Sequence, residues 1–300
     1  MTEPDKEVCF LFKDNFSRYE FKFPMTYRDV DSLIGELLAY VEPDEHVGPE
    51  GIYTISSLYM DNDRLQCYYE TINNDYFRQK VRLRVYGAHN GPDSQSFLEV
   101  KSKIDGLVVK RRIKMRLADA MDFCDKCVTK GYDFDAGQFK STNPQILEEV
   151  RRVIVSKELH FVNCVSYDRI PYFCSADPDL RITFDCNIRT RGDDLDLTHG
   201  TYGERRIPEE VAVLEVKTSK DIPYWLVKIL GTYGYRNQTF SKYCSHFAPQ
   251  KVMLSDAASG NIHAAGCGKT DNNGEIPDNN TVSDKKGEYK YVSRVLDLTY

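Results

Sequence analysis

Polar and apolar positions alternate through most of this chain, and nowhere more clearly than between Arg78 and Arg116. In VRLRVY, Val81, Leu83 and Val85 alternate with Arg82 and Arg84, and Lys80 continues the basic series. Side chains two apart on a strand share a face. FLEVK puts Phe97, Glu99 and Lys101 on one face and Leu98 and Val100 on the other. VKRRIKM puts Lys110, Arg112 and Lys114 opposite Val109, Ile113 and Met115, with Arg111 the exception on the apolar side. Three successive strands are therefore predicted, each with a cationic and a largely apolar face. The same design recurs at 17–23, where Arg18, Glu20 and Lys22 oppose Tyr19, Phe21 and Phe23. It recurs at 180–185, where Arg181, Thr183 and Asp185 oppose Leu180, Ile182 and Phe184. At 211–217, Val211, Val213, Glu215 and Lys217 oppose Ala212, Leu214 and Val216.

Between these strands the period changes. From Thr26, Val30, Leu33, Ile34, Leu37, Leu38 and Val41 recur at helical spacing, and Pro43 is expected to close that helix. Ile52–Met60 reads as a strand, and a short helix or helical turn is expected within 63–75. Two helices are predicted over Leu117–Lys130 and Pro144–Leu159, with Gly131 ending the first and Asn143 capping the second. FVNCVSYDRIPYFC and LRITFDCNIR read as two strands joined by a turn at 176–179, and Pro223 opens a helix that carries Trp225. The total is seven or eight strands and three or four helices. The domain reading is a polar leader over 1–16, one folded unit over 17–250, and a mostly disordered tail over 251–300, rich in Gly, Asn, Asp, Ala and Ser.

Charge sharpens this picture. Residues 78–116 hold eleven Lys/Arg against three Asp/Glu, in a chain of 300 residues whose formal net charge is −6. An acidic chain argues against general nucleic-acid binding, which shows a basic domain; the positive charge here is local and suits a confined anion site. No apolar run approaches the ~18–20 residues of a membrane span. The first residues lack the pattern of a secretory signal. Nine scattered cysteines, an odd number, fit buried thiols and a reducing compartment better than a disulfide framework. The expected localisation is cytoplasmic, with no membrane segment of the chain's own. Cys124 and Cys127 form the one C-x-x-C, inside a helical pattern, and the six histidines show no metal-ligand spacing.

One amphipathic strand usually carries a solvated charged face. Like charges on neighbouring strands repel, however, so repeating the pattern over three strands makes sense if something polyanionic fills the face. Strands with a charged inner and an apolar outer face suit a closed barrel with a wet lumen, covered outside by helices. A lumen lined by Lys and Arg would be a tunnel for an elongated polyanion such as a phosphate chain.

RYEFKF, SLYMD, KVRLRVYG, FLEVKSK, VKRR, the DRI and LRITFD pair, AVLEVK and FSKY, in this order over about residues 17–247, resemble the VTC (vacuolar transporter chaperone) domain. That is the polyphosphate polymerase domain of the triphosphate tunnel metalloenzyme superfamily. The resemblance implies an α+β fold: an eight-stranded antiparallel β-barrel around a basic tunnel, with helices packed outside. It implies transfer of the γ-phosphate of ATP to a growing inorganic polyphosphate chain, with Mn²⁺ or Mg²⁺. It implies phosphate-binding and catalytic roles for Lys22, Arg82, Arg84, Lys110, Arg169, Arg181 and Lys242, phosphate binding by Lys101 and Ser241, and metal binding by Glu215. Lys80, Arg111 and Arg116 are left to solvent or structural pairing. Delivery of product across a membrane would require a membrane-protein partner.

The chain also departs from the family pattern. Thr239 stands where the fungal enzyme has a lysine. Glu20 with Lys22 is similar to part of the E-x-E-x-K edge of hydrolytic tunnel enzymes, although Arg18 breaks the full motif. Two rivals follow: a tripolyphosphatase or nucleoside triphosphatase, and a catalytically silent polyphosphate-binding module. Glu215 and Glu99 also have a plainer reading, as ion-pair partners of neighbouring basic residues.

Overall fold

In the computed structural model, the described residues are 15–44, 47, 51–105, 107–248 and 252–254. Most of the expected leader and nearly all of the expected tail lie outside them. Among the described residues ten strands form: β1 (Asn15–Thr26), β2 (Glu42–Pro43), β3 (Tyr53–Asp61), β4 (Phe77–Tyr86), β5 (Gln95–Ile104), β6 (Leu107–Arg116), β7 (His160–Cys174), β8 (Asp177–Arg191), β9 (Glu204–Arg205) and β10 (Val211–Thr218). Five α-helices accompany them: α1 (Tyr27–Leu37), α2 (Gln66–Ile72), α3 (Leu117–Lys130), α4 (Pro144–Ser156) and α5 (Tyr224–Thr232). Eight of the strands pair in a ring, all antiparallel, in the order β1–β6–β5–β4–β3–β7–β8–β10 and back to β1. This ring is the expected barrel. β2 and β9 are short additions at its margins.

The apolar faces point outward and are covered by helices in two places. Val81, Leu83, Val85, Leu98, Val100 and Ile113 pack with Phe123, Ile146, Leu147 and Val150 of α3 and α4. Leu180, Ile182, Phe184, Leu214 and Val216 pack with Val30, Leu33 and Ile34 of α1 and Leu226 of α5. Fully burying one such side chain contributes about 1.5–3 kcal/mol, so these outer cores, and not the lumen, hold the barrel closed. Arg111, the basic residue on the apolar side, reaches Glu149 of α4 at 2.5 Å. Arg116 pairs with Asp93 and Asp119 at the surface.

The helix ends follow local chemistry, with some departures from expectation. Asn143 caps α4, its Oδ1 accepting the amides of Gln145 and Ile146. Gly131, at φ +59°, ends α3. α1 stops at Leu37, earlier than expected, and Glu42–Pro43 instead adds to the edge of β7. α4 stops at Ser156, because Glu158 turns to φ +54°. β8 begins at Asp177, so the turn after β7 is tighter than residues 176–179.

One further segment shapes the lumen. Beyond α5 the chain binds β1: Tyr235 Oη accepts the Thr26 amide, Asn237 Oδ1 accepts the Lys22 amide, and the Gln238 amide donates to the Lys22 carbonyl. By Tyr243 it has reached the opposite wall. There the Tyr243 hydroxyl donates to Asp61 at the end of β3, and Asn163 of β7 donates to the Tyr243 carbonyl at 3.3 Å. β1 and β3 stand diametrically across the ring, so residues 237–243 form a strap over one end of the barrel.

Candidate functional site

Inside the ring lies one elongated cavity of about 480 Å³. Its lining includes thirteen Lys and Arg side chains and three carboxylates, Glu20, Asp44 and Glu215. Each wall contributes by alternation. β1 supplies Glu20 and Lys22; β4 supplies Arg78, Lys80, Arg82, Arg84 and Tyr86; β5 supplies Lys101 and Lys103; β6 supplies Lys110 and Arg112. β7 supplies Tyr167 and Arg169, β8 Arg181 and Thr183, β10 Glu215 and Lys217, and the strap Ser241 and Lys242. All ten residues named from the sequence, Lys22, Arg82, Arg84, Lys101, Lys110, Arg169, Arg181, Glu215, Ser241 and Lys242, line this cavity.

Two carboxylate centres organise the cations. Glu215 accepts from Lys217 at 2.7 Å, Lys242 at 2.6 Å and Arg169 at 3.2 Å, with Lys22 at 3.8 Å. Behind it, fully buried Asp185 takes the Arg169 guanidinium in a fork, at 2.7 and 2.8 Å, and the Lys242 ammonium at 2.5 Å. Lys242 is thus fixed between β8 and β10. On the other wall, fully buried Glu99 takes Arg82 Nε at 2.5 Å and Lys110 at 3.2 Å. Arg82 also donates to the Tyr59 hydroxyl at 3.0 Å, and Arg84 donates to Ser57 and to the Tyr167 hydroxyl, each at 3.1 Å. These contacts aim the guanidiniums into the lumen. Glu20 is held by Lys101 at 2.7 Å. The plainer ion-pair reading of Glu99 and Glu215 is therefore realised. Ser241 Oγ accepts the Cys244 amide at 3.3 Å, which makes it a turn cap that also faces the cavity.

The electrostatics follow from crowding charge in a dry space. Burial raises the Glu215 pKa, but Lys217, Lys242, Lys22 and Arg169 outweigh it and hold the carboxyl well below its usual range. Burial likewise works against Glu99, and Arg82 and Lys110 overcome it. Burial pushes the ammoniums of Lys22 and Lys110 down to about 8, against the pull of Glu215 and Glu99 respectively. Lys80 and Lys217 are depressed in the same direction by burial. Burial would raise the Tyr59 hydroxyl, yet Arg82 and Arg84 bring it down to about 8. The lumen thus holds more positive charge than its own carboxylates neutralise, which suits an anionic ligand.

The sequence reading missed several lining residues. Lys80 does not go to solvent: it faces the cavity with its ammonium 4.7 Å from the Tyr243 ring centroid. Arg112 and Lys217 share the parity of Lys110 and Glu215, and that parity was the available signal. Tyr53 and Tyr59 lie on β3, which is largely buried on both faces, so no polar alternation marks them. Cys124 and Cys127 are buried in α3, and burial raises both thiols, the second to about 12. That is the opposite of the thiolate character that redox or metal chemistry uses.

Among the described residues, no three His, Cys, Asp or Glu side chains converge as a protein-only metal cage. Magnesium, however, commonly takes one or two carboxylates together with substrate phosphate oxygens. Glu215 is a hard oxygen donor facing the lumen. It therefore fits a metal site shared between protein and phosphate.

Solved structures offer distant likenesses. The bh2851 protein of Bacillus halodurans shares 11% identity at a TM-score of 0.44, covering 77% of this chain and 98% of its own. The PH1819 protein of Pyrococcus horikoshii OT3 shares 14% at a TM-score of 0.37, covering 76% of this chain and 98% of its own. The sequence profile of the VTC domain matches residues 17–249, which is the whole barrel with its strap. The chain belongs to the VTC-domain family.

Proposed function

We propose that this chain is an ATP-dependent polyphosphate polymerase that acts inside the barrel. The observation that carries this reading is the cavity itself: a closed wall with thirteen basic side chains facing one lumen, in a protein that is acidic overall. Phosphoryl transfer needs positioning and charge neutralisation more than covalent help. Arg82, Arg84, Arg169 and Arg181 offer planar, two-pronged donors to phosphate oxygens, and Lys22, Lys101, Lys110 and Lys242 offer mobile point charges. Facing walls grip the donor and acceptor phosphates from several sides and hold them in line. The terminal oxygens of a polyphosphate acceptor are already ionised, so no general base is required. Glu215 would hold Mn²⁺ or Mg²⁺ together with phosphate oxygens, and the metal would neutralise charge developing between the β- and γ-phosphates.

Glu20 supports a second reading. It is a further carboxylate on the lumen wall, held by Lys101, and suits a triphosphatase that acts on tripolyphosphate or nucleoside triphosphates. Thr239, which lines the cavity in place of a family lysine, is the feature that suits a binding module without turnover. Product analysis separates all three. Purified protein given ATP and Mn²⁺ is expected to yield ADP and a ladder of long polyphosphate. Orthophosphate as the sole phosphate product would support the hydrolase, and tight binding without turnover the silent module.

A further inference from the structure

Tyr59 stands where β3, β4 and the strap meet. β3 and β7 shift register between Tyr59 and Met60, with Tyr59 opposite Asn163 and Met60 opposite Phe161. A bulge of this kind bends its strand and sharpens the local twist, and the strap lands on it. Asn163 donates to the Tyr243 carbonyl, Asp61 accepts the Tyr243 hydroxyl, and the Tyr243 ring packs on Tyr59 with centroids 5.3 Å apart. Tyr243 is 2% exposed, so this seat is closed to water. From the same ring, the Tyr59 hydroxyl reaches β4. Its cross-strand partner there is Arg82, whose Nη1 donates to it at 3.0 Å. Arg82 Nε is held by Glu99 on β5. The guanidinium thus has an anchor on each neighbouring strand, and each anchor holds a different nitrogen.

A packing role alone would need only the ring. Phenylalanine would fill the space beside Tyr243 as well, since contact between rings uses no hydroxyl. The Tyr59 hydroxyl instead serves a lumen cation. One anchor at Nε leaves a planar guanidinium able to swing about that bond, and a second at Nη1 fixes its plane. The plane matters because two-pronged donation to phosphate oxygens requires it. The side chain that fixes it is also the one on which the strap rests. Resting on the reading that the lumen binds phosphate chains, we infer that Tyr59 is a positioning residue, which sets the plane of Arg82 and makes that plane depend on the seating of the strap. Lys242, the residue before Tyr243, is held by Asp185 and Glu215 on the far wall. Consecutive strap residues therefore set cations on opposite walls, Lys242 directly and Arg82 through Tyr59.

The test is a pair of double-mutant cycles read on inorganic tripolyphosphate without metal, with dissociation constants from titration calorimetry. Tyr59→Phe keeps the ring and removes the hydroxyl. It is expected to weaken tripolyphosphate about three- to tenfold, the worth of one hydrogen bond. In an Arg82→Lys background the same substitution is expected to change the constant by less than about twofold, the margin of independent sites, because an ammonium has no plane to fix. Tyr243→Phe loosens the seat of the strap. Combined with Tyr59→Phe, it is expected to give a loss at least about twofold short of the product of the two single losses, since a strap already uncoupled from Arg82 has less to disturb. Binding by each single variant certifies its fold. Equal losses from Tyr59→Phe in the wild-type and Arg82→Lys backgrounds would show that Tyr59 does not act through Arg82 and would overturn the inference. No loss in the wild-type background, or losses that simply multiply with Tyr243→Phe, would overturn it too. Wild-type protein that bound no tripolyphosphate would sink the phosphate-binding reading of the lumen, and the inference with it.

Discussion

At the scale of single residues, two lumen groups give opposite and separable expectations. Lys22 and Lys110 titrate near 8 because burial disfavours their charge. A bound polyanion favours the charged form, so their pKa values rise in the complex and binding takes up protons above pH 8. Affinity should therefore fall as pH rises through about 8, for the ammoniums that attract the ligand are then lost. Because tripolyphosphate has its own titration, the decisive comparison is with Lys22→Arg/Lys110→Arg, whose guanidiniums stay charged. Calorimetry from pH 7 to 9 should show a weaker decline for the variant, and parallel profiles would contradict the assignment. Glu215 works in reverse. Truncating one partner of a buried charge cluster costs about 3–5 kcal/mol, so Glu215→Gln should melt well below wild type without ligand. Tripolyphosphate should restore the melting temperature, since it supplies the missing negative charge. Metal-dependent turnover should be lost while metal-free phosphate binding is kept or tightened. Weaker metal-free binding would count against this role.

At the scale of elements, what was legible depended on whether a strand has one wet face. β4, β5, β6, β8 and β10 each pair a helix-covered face with the lumen, and their alternation puts Arg82, Arg84, Lys101, Lys110, Arg181 and Glu215 on the polar face, from which the family resemblance picks them out. β3 is largely buried on both sides, so Tyr53 and Tyr59 carry no such mark. The strap is the least legible part. FSKY has no periodicity of its own, and its anchor is Asp61, which lies 182 residues earlier in the chain. Asp61 also accepts the amides of Cys67 at 2.8 Å and Tyr68 at 3.0 Å. One carboxylate thus caps α2 and fastens the strap. Tyr243→Phe removes the hydroxyl and keeps the ring. It should cost about 1–3 kcal/mol, the penalty for a buried polar group left short of a partner. Amide exchange should quicken across 240–246 more than across β4 or β5. Uniform acceleration through the barrel would mean that the strap is not a separate unit.

At the scale of the whole molecule, the barrel reverses the usual distribution of apolar and charged groups. Its cores lie outside, under α3 and α4 on one side and α1 and α5 on the other, which leaves the centre for charge. That reversal could be read from the sequence, where like charges repeated on adjoining strands suit a wet lumen that a polyanion fills. Closure is expected on that ground, but the pairings that make it, of the long strands β7 and β8 with each other and with β3 and β10, are not marked by alternation within any strand. The excess positive charge of the lumen stands against an overall net charge of −6, so the basic character of the chain is concentrated in the interior. Among the described residues, no helix is long and apolar enough to cross a membrane.

The most direct test follows the γ-phosphate itself. Protein incubated with γ-labelled ATP and Mn²⁺ should place the label in chains that precipitate in cold acid and lengthen with time. Arg82→Ala, which removes a cation fixed in the lumen by Glu99 and Tyr59, should lose most of that incorporation. Label recovered only as orthophosphate would contradict polymerisation, and an Arg82→Ala protein that incorporated label like wild type would contradict the placement of the reaction in the barrel.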